Sequence, residues 1–335
     1  MFLHFLCNKQ YKIKAGLHFF TKHRLHIHHP KKDIYLGILL AVVATIIWSG
    51  NFIISRGVSN QIGPFSLAFF RWLMATLIIA PFAWKKFKLE KQQVKTNWKY
   101  LFWVSLCGIT LFNTCVYVAG HYTSAINMAL IGTTSSPIFA TILAVIFLKE
   151  KPGSLRFLGM LICILGIFLL LSKGSVTTLA TFQFSKGDLW VLSGAFAFAI
   201  YNILVRKKPA LISSLNFLFV IFGAGVIMLF PFFLFEIITG PPIQWSISLL
   251  GVFFYLGAGT SVISFLCWNI ALHKLGTGRT VLFGNLIPIF STLEAVWLLN
   301  EKITNIHLVS GILVISGLII ANTISKVKMT DSPSD

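Results

Sequence analysis

The chain has 335 residues, 56% of them hydrophobic and only 11% charged, with a mean hydropathy of +0.83. An average soluble domain carries about 25% charged residues, so a water-soluble globular fold is excluded and an all-α membrane protein is indicated. The net charge of +19 would suggest nucleic acid in a soluble chain. Here the basic residues lie between apolar runs, with no basic face of stacking aromatics, so nucleic acid is not an expected partner and anionic lipid is.

Residues 1–33 form a basic tail holding six of the nine histidines, among them His23, His26, His28 and His29. No continuous apolar stretch with a small-residue cleavage site follows, so the tail does not read as a signal peptide. No carboxylate or thiol cluster accompanies the histidines, so no metal site is assigned. Ten apolar runs then follow at 34–55, 64–84, 98–118, 125–148, 154–171, 187–206, 212–235, 247–270, 279–299 and 304–323. Each matches the roughly 20 residues a helix needs to cross a bilayer, and each must be helical because lipid offers backbone groups no partner. Of the 28 Lys and Arg residues, 23 fall on the side of both termini and four on the other. This asymmetry places both termini in the cytoplasm. Residues 324–335 form a short polar tail.

The chain repeats itself. From Pro137 to Lys151 the sequence returns at Pro288 to Lys302, and nine of these fifteen positions are identical at an offset of 151. Gly108 and Gly166 likewise return as Gly259 and Gly317. Two repeats, 34–172 and 187–323, therefore hold five spans each. Five is odd, so the second repeat enters the membrane from the opposite side. The expected architecture is ten transmembrane helices in two inverted five-helix repeats. Prolines at matching places in two such halves point to a transporter's binding site.

Pro137 lies near the middle of its span, and a helix proline frees the carbonyl four residues earlier. Those carbonyls are expected to be Thr133 and Gly284, open to a substrate at mid-depth. Thr134 and Thr141 share a helix face, as do their counterparts Asn285 and Thr292. Intramembrane polar groups tend to face a bundle interior or cavity. Trp48 and Asn51, Asn113 and Tyr117, Tyr201 and Asn202, and Trp268 and Asn269 add aromatics beside amides, a lining suited to an amphiphilic metabolite. With Pro137 and Pro288 these are the substrate-cavity candidates; helix–helix packing and interfacial anchoring are the alternatives for each.

Arg71 and Glu294 are charges well inside spans. Counted from the helix ends they lie about 10 Å and about 9 Å deep. An unpaired charge there is costly, so they are expected to pair or to share a water-filled vestibule. Glu294 stands where the first repeat has Leu143; it is a candidate for coupling transport to protons. Glu150 and Glu301 end their helices and are expected to cap or pair at the following turn, as structural or gate residues.

Taken in order, Trp48-Ser49-Gly50-Asn51, Pro64-Phe65 with Phe70-Arg71, Tyr122-Thr123-Ser124-Ala125 before Pro137 and Lys149-Glu150, Trp268-Asn269-Ile270-Ala271, Pro288 with Glu301, and Gly311 with Gly317 resemble the EamA family of the drug/metabolite transporter superfamily across about residues 37–325. The resemblance implies an inner-membrane carrier with a central cavity, moving amino acids, other small metabolites or drugs, often outward. The superfamily also includes nucleotide-sugar and triose-phosphate carriers. Glu294 departs from the family pattern, which is apolar or small there.

No GxxxxGK[ST] loop is present, so no ATP, other cofactor or metal is expected. A membrane enzyme would need paired carboxylates or a His/Asp cluster, and a channel a filter or charged ring; neither pattern is found. The reading is a secondary carrier, as monomer or homodimer, with a small-molecule substrate and protons as the candidate coupling ion.

Overall fold

A computed structural model describes residues 31–148, 153–172, 174–175, 185–205, 207–275, 280 and 283–322. Among them every regular element is helical. The elements are α1 Lys31–Gly57, α2 Pro64–Thr96, α3 Trp98–Ser105, π1 Leu106–Leu111, α4 Phe112–Gly120, α5 Ala125–Leu148 and α6 Ser154–Leu171. The second half holds α7 Lys186–Val205, α8 Ser214–Thr239, α9 Ile247–Phe254, π2 Tyr255–Ile263 and α10 Ser264–Leu275. A 3₁₀ turn at Gly284–Leu286, α11 Ile287–Leu299 and α12 Asn305–Asn322 complete it. Among the described residues, seven helices are long and apolar enough to cross a membrane, and three shorter apolar helices lie at Phe157–Leu170, Gly284–Leu299 and Asn305–Ala321.

Local sequence explains the boundaries. Pro64 opens α2, where its missing N–H costs nothing. Ser246 caps α9, its hydroxyl accepting from Leu249 N at 3.1 Å. Asn97 separates α2 from α3 and folds its amide back onto Gln93 O at 2.8 Å. Asn300 ends α11 in the left-handed conformation (φ 53°), and the next N–H, of Glu301, reaches back to Ala295 O at 3.2 Å.

Three expectations are corrected. The second span was read as ending at 84, but α2 runs on through Lys85–Thr96. Lys, Glu and Gln are good helix formers, so the charges that end the apolar run do not end the helix. The third and eighth spans are not uniform α-helices; each passes through a π-helical stretch, π1 or π2. The ninth span is not a helix kinked at its middle. Pro288 stands in the first turn of α11 behind a 3₁₀ turn, whereas Pro137 lies inside the unbroken 24-residue α5.

The packing exchanges the two halves. α2 packs against α8, and α6 against α12. Further contacts come in swapped sets: α5 with α7 and α11 with α1, and α4 with α7 and α10 with α1. At the α6–α12 crossing the backbones meet, since a methyl on Gly317 would stand 2.7 Å from Gly159 O. Two carboxylates tie α2 and α8 reciprocally. Glu236, near the end of α8, accepts from Phe65 N (3.2 Å) and Ser66 N (2.6 Å) at the start of α2. Glu90, near the end of α2, accepts from Ser213 N (2.9 Å) and Asn216 Nδ2 (2.7 Å) at the start of α8. Each supplies negative charge and acceptors to a helix N-terminus with unbonded donors. Gly63 makes room, since any Cβ there would run into the Glu236 carboxylate.

Candidate functional site

The middle of α1 is the hub. The α1 helix packs against α4, α5, α10, α11 and π2. Trp48 lies against Trp268 of α10 with ring centroids 5.2 Å apart, and against Phe265 at 5.7 Å. Its indole N–H donates to Thr260 O at 3.0 Å. Thr260 lies in π2, where the widened turn disturbs the α-helical ladder. Hydroxyls satisfy the carbonyls there: Thr260 and Ser261 bond Leu256 O, and Ser264 bonds Gly259 O. Stretches of π-helix often mark functional sites. Here one occurs in each half, around Gly108 and around Gly259, and the Tyr201 ring lies over Gly108. The repeated glycines gave a sequence signal for these places, but not for their π-helical form.

Arg71 is buried and its guanidinium is held by neutral groups. Nη1 donates to Asn51 Oδ1 at 2.5 Å and to Tyr117 Oη at 2.7 Å, and Tyr117 in turn bonds Asn51 Oδ1 at 3.1 Å. The guanidinium carbon lies 4.8 Å from the centre of the Trp72 ring. The expected ion pair with Glu294 is therefore not formed. Glu294 turns instead to α1, where its Oε1 lies 2.6 Å from Ser49 Oγ. The two charges solve burial separately, one with amide and phenol oxygens, the other with a hydroxyl. Tyr255 lies within electrostatic reach of both and donates to Ile47 O at 2.8 Å.

The two proline segments share one feature and differ in another. Thr141 donates to Pro137 O at 2.9 Å, and its counterpart Thr292 donates to Pro288 O at 2.7 Å. One turn before each proline, Thr134 and Asn285 are both buried, and Thr134 Oγ1 and Asn285 Nδ2 have no partner. The expectation of a freed Gly284 carbonyl is corrected: Gly284 O accepts the N–H of Ile287 across the 3₁₀ turn. Thr133 follows the α-helical course, its hydroxyl bonding Ala129 O at 2.6 Å. That difference between Thr and Gly four residues before the proline accompanies a continuous helix in one half and a broken one in the other.

Other buried polar atoms are also unpartnered: Arg71 Nε and Trp72 Nε1 on α2, Asn113 Oδ1 and Thr114 Oγ1 on α4, Ser135 Oγ on α5, Ser213 Oγ and Asn216 Oδ1 at the start of α8, and Glu294 Oε2 on α11. A buried polar group left without a hydrogen bond costs about 1–3 kcal/mol, so each of these atoms is one whose bonding a polar ligand or water would complete. The remaining candidates are less enclosed. Tyr201 and Asn202 are half-buried, Trp268 likewise, and Asn269 and Pro137 are exposed, while Pro288 is buried. Glu150 lies outside the described residues.

A cavity of about 470 Å³ opens at the bundle end where α1 and α11 finish and α5 begins. Arg56, Tyr122, Ser124, Leu299, Asn300 and Glu301 line it; none of the mid-span candidates does. Glu301 does not serve its own turn. Its carboxylate crosses to α5 and accepts from Ala125 N (2.8 Å) and Ile126 N (3.2 Å), aimed there by the left-handed Asn300. Arg56 Nη1 donates to Gly120 O at 3.0 Å, Thr123 to Asp188 Oδ1 at 2.9 Å, and His307 Nε2 meets Asn127 Oδ1 at 3.2 Å. Sequence reasoning missed Glu236, Glu90 and Asp188 in these roles. The visible signal was a carboxylate near a helix end, but its partner helix is far away in sequence.

The profile of the EamA-like transporter family matches the chain twice, over residues 35–172 and 185–323. An uncharacterized transporter of Archaeoglobus fulgidus is 26% identical over 280 residues, covering 84% of this chain and 95% of the relative. The uncharacterized transporter YyaM of Bacillus subtilis is 27% identical over 300 residues, covering 88% and 96%. A solved crystal structure resembles the fold with a TM-score of 0.58 at 17% identity, over 87% of this chain and 97% of that one. With apolar helices long enough to cross a bilayer and a family match over both halves, the chain is a multi-pass membrane protein belonging to the EamA-like transporter family.

Proposed function

We propose that the protein is a secondary carrier that moves small amphiphilic metabolites, such as amino acids or drugs, outward across the inner (plasma) membrane by alternating access. Ten membrane helices in two inverted repeats form its frame, with both termini in the cytoplasm. The swapped contacts between halves support this: interchangeable halves can tilt into two related arrangements, one open to each side. The observation that carries the reading is the set of buried, unpartnered polar atoms on α4, α5, α11 and the 3₁₀ turn before it, above all the matched pair Thr134 and Asn285. In lipid such atoms need a guest. The carrier works as a monomer or homodimer, without enzymatic chemistry or a cofactor.

A nucleotide-sugar or other phosphorylated substrate would require free cations in the cavity. Arg56, which lines the cavity, already donates to Gly120 O, and Arg71, which does not line it, is engaged through Nη1 by Asn51 and Tyr117, which favours the unphosphorylated class. The test is uptake and efflux of a metabolite panel by proteoliposomes, with and without an imposed pH gradient. Saturable flux of one class, weakened by Asn285→Leu, is expected. Inertness towards amino acids, nucleosides, sugars and cationic drugs alike would overturn the reading.

A further inference from the structure

The hydrogen count around Glu294 is decisive. Ser49 Oγ lies 2.6 Å from Ile46 O and also 2.6 Å from Glu294 Oε1. Both separations are those of short O–H···O hydrogen bonds. A serine hydroxyl has one proton, and a backbone carbonyl has none. If Glu294 were a carboxylate, one of the two close oxygen pairs would lack a proton and repel. If Glu294 is a carboxylic acid, it donates to Ser49, and Ser49 donates to Ile46 O. Both contacts are then satisfied. The other oxygen, Oε2, is buried without a partner. That is tolerable for the carbonyl of a neutral acid and costly for an ion.

No fixed positive charge contradicts this. Among the described residues of the elements packed against α11, α5 and the 3₁₀ turn contain no titratable side chain. On α1 the titratable residues, Lys31, Lys32, Asp33, Tyr35 and Arg56, lie towards the ends of the helix. Tyr255 and Arg71 lie nearby, the first committed to Ile47 O and the second to Asn51 and Tyr117. Ser291, one turn before Glu294, bonds Ser49 O at 3.2 Å, a second hydrogen bond across the α1–α11 contact. Glu294 lies five residues before Leu299, about 8 Å along the helix, and Leu299 lines the cavity at the bundle end.

We propose that Glu294 is the proton site of this carrier, neutral and resting on Ser49 in the conformation described here. When α11 shifts against α1 and the site opens to the cytoplasmic side, the carboxyl O–H bond breaks and the proton passes to water there. The Ser49 hydroxyl then turns from Ile46 O to the carboxylate that remains. Return of a proton from water in the cavity beyond Leu299, in the conformation described here, completes the cycle. The first half has Leu143 at the matching position, so the site exists in one half alone. The coupling role rests on the carrier reading; the protonation itself does not.

Infrared difference spectroscopy on the full-length protein in lipid tests the site without a substrate. At neutral pH the wild type is expected to show a protonated-carboxyl C=O band that Glu294→Gln lacks and that Ser49→Ala shifts. If Glu294→Gln does not fold, the shift in Ser49→Ala still decides. Identical carboxyl bands in wild type and both variants overturn the proposal. In the metabolite assay, accumulation driven by a pH gradient is expected to disappear in Glu294→Gln; equal accumulation overturns the coupling. A wild type inert to the whole panel retires the carrier reading, while the infrared band still judges the proton site.

Discussion

Replacing Glu236 by Ala strips two backbone donors, Phe65 N and Ser66 N, of their acceptor at the start of α2. Losing a helix cap costs about 0.5–2 kcal/mol, and hydrogen bonds to a charged group contribute about 1.5–3 kcal/mol each. Water reaches a helix end and recovers part of this, so a loss of about 2 kcal/mol is expected. On the scale of proteins of 150–250 residues this lowers the melting temperature by about 4–8 °C. Gly63→Ala attacks the same contact from the other side, because the new methyl overlaps the carboxylate. The two changes therefore share one defect. Unfolding of the detergent-purified protein, followed by tryptophan fluorescence, should show each single variant destabilised and the double variant little worse than Glu236→Ala alone. Glu90→Ala, at the far end of a helix about 50 Å long, should add independently to either. Full additivity of Gly63→Ala and Glu236→Ala, or a Glu236→Ala effect below about 0.5 kcal/mol, would refute the capping account.

Gly317→Ala forces a methyl against Gly159 O and the Cys163 sulfur, and overpacking of this kind costs about 1–3 kcal/mol; thermal unfolding should show it, with Gly311→Ala, which has open space, as the tolerated control. Glu301→Ala uncaps α5 and should lower stability by about 1–2 kcal/mol, whereas Glu301→Gln, which retains an acceptor, should lose less in the same assay. His121, in the turn after α4, has its pKa held below the usual 6.5 by burial, with Arg56 adding to the shift and Glu236 opposing it. Its neutral form is favoured by the fold, so stability is intact above pH 6.5 and falls as pH drops through and below that value; His121→Gln should flatten that part of a melting-temperature profile.

Most of the helices could be read from the sequence because lipid leaves the chain few choices: an apolar run of sufficient length must be helical. What lay beyond reach were features set by contacts between distant residues. Lys85–Thr96 reads as a loop by charge, yet Glu90 within it caps a helix that starts at Ser214. The break before Pro288 accompanies Gly284 standing where the first half has Thr133, a difference the repeat contains but does not interpret. Among the candidate site residues, Asn51, Tyr117 and Arg71 meet, as do Trp48 and Trp268. The Arg71–Glu294 pair failed because matching depth says nothing about azimuth. Nine residues along the helix from Asn285, Glu294 faces Ser49 on α1, and no count of residues from the helix end could have named that hydroxyl.

The reciprocal carboxylates also constrain biogenesis. Both acceptors for the starts of α2 and α5, Glu236 and Glu301, are encoded after the entire first half. During synthesis the starts of α2 and α5 therefore wait in the membrane as bare helix N-termini until more than 150 residues beyond each start have been made. A chain truncated between the halves would expose those donors to quality control, and the two halves expressed as separate polypeptides should protect each other from proteolysis only when made together.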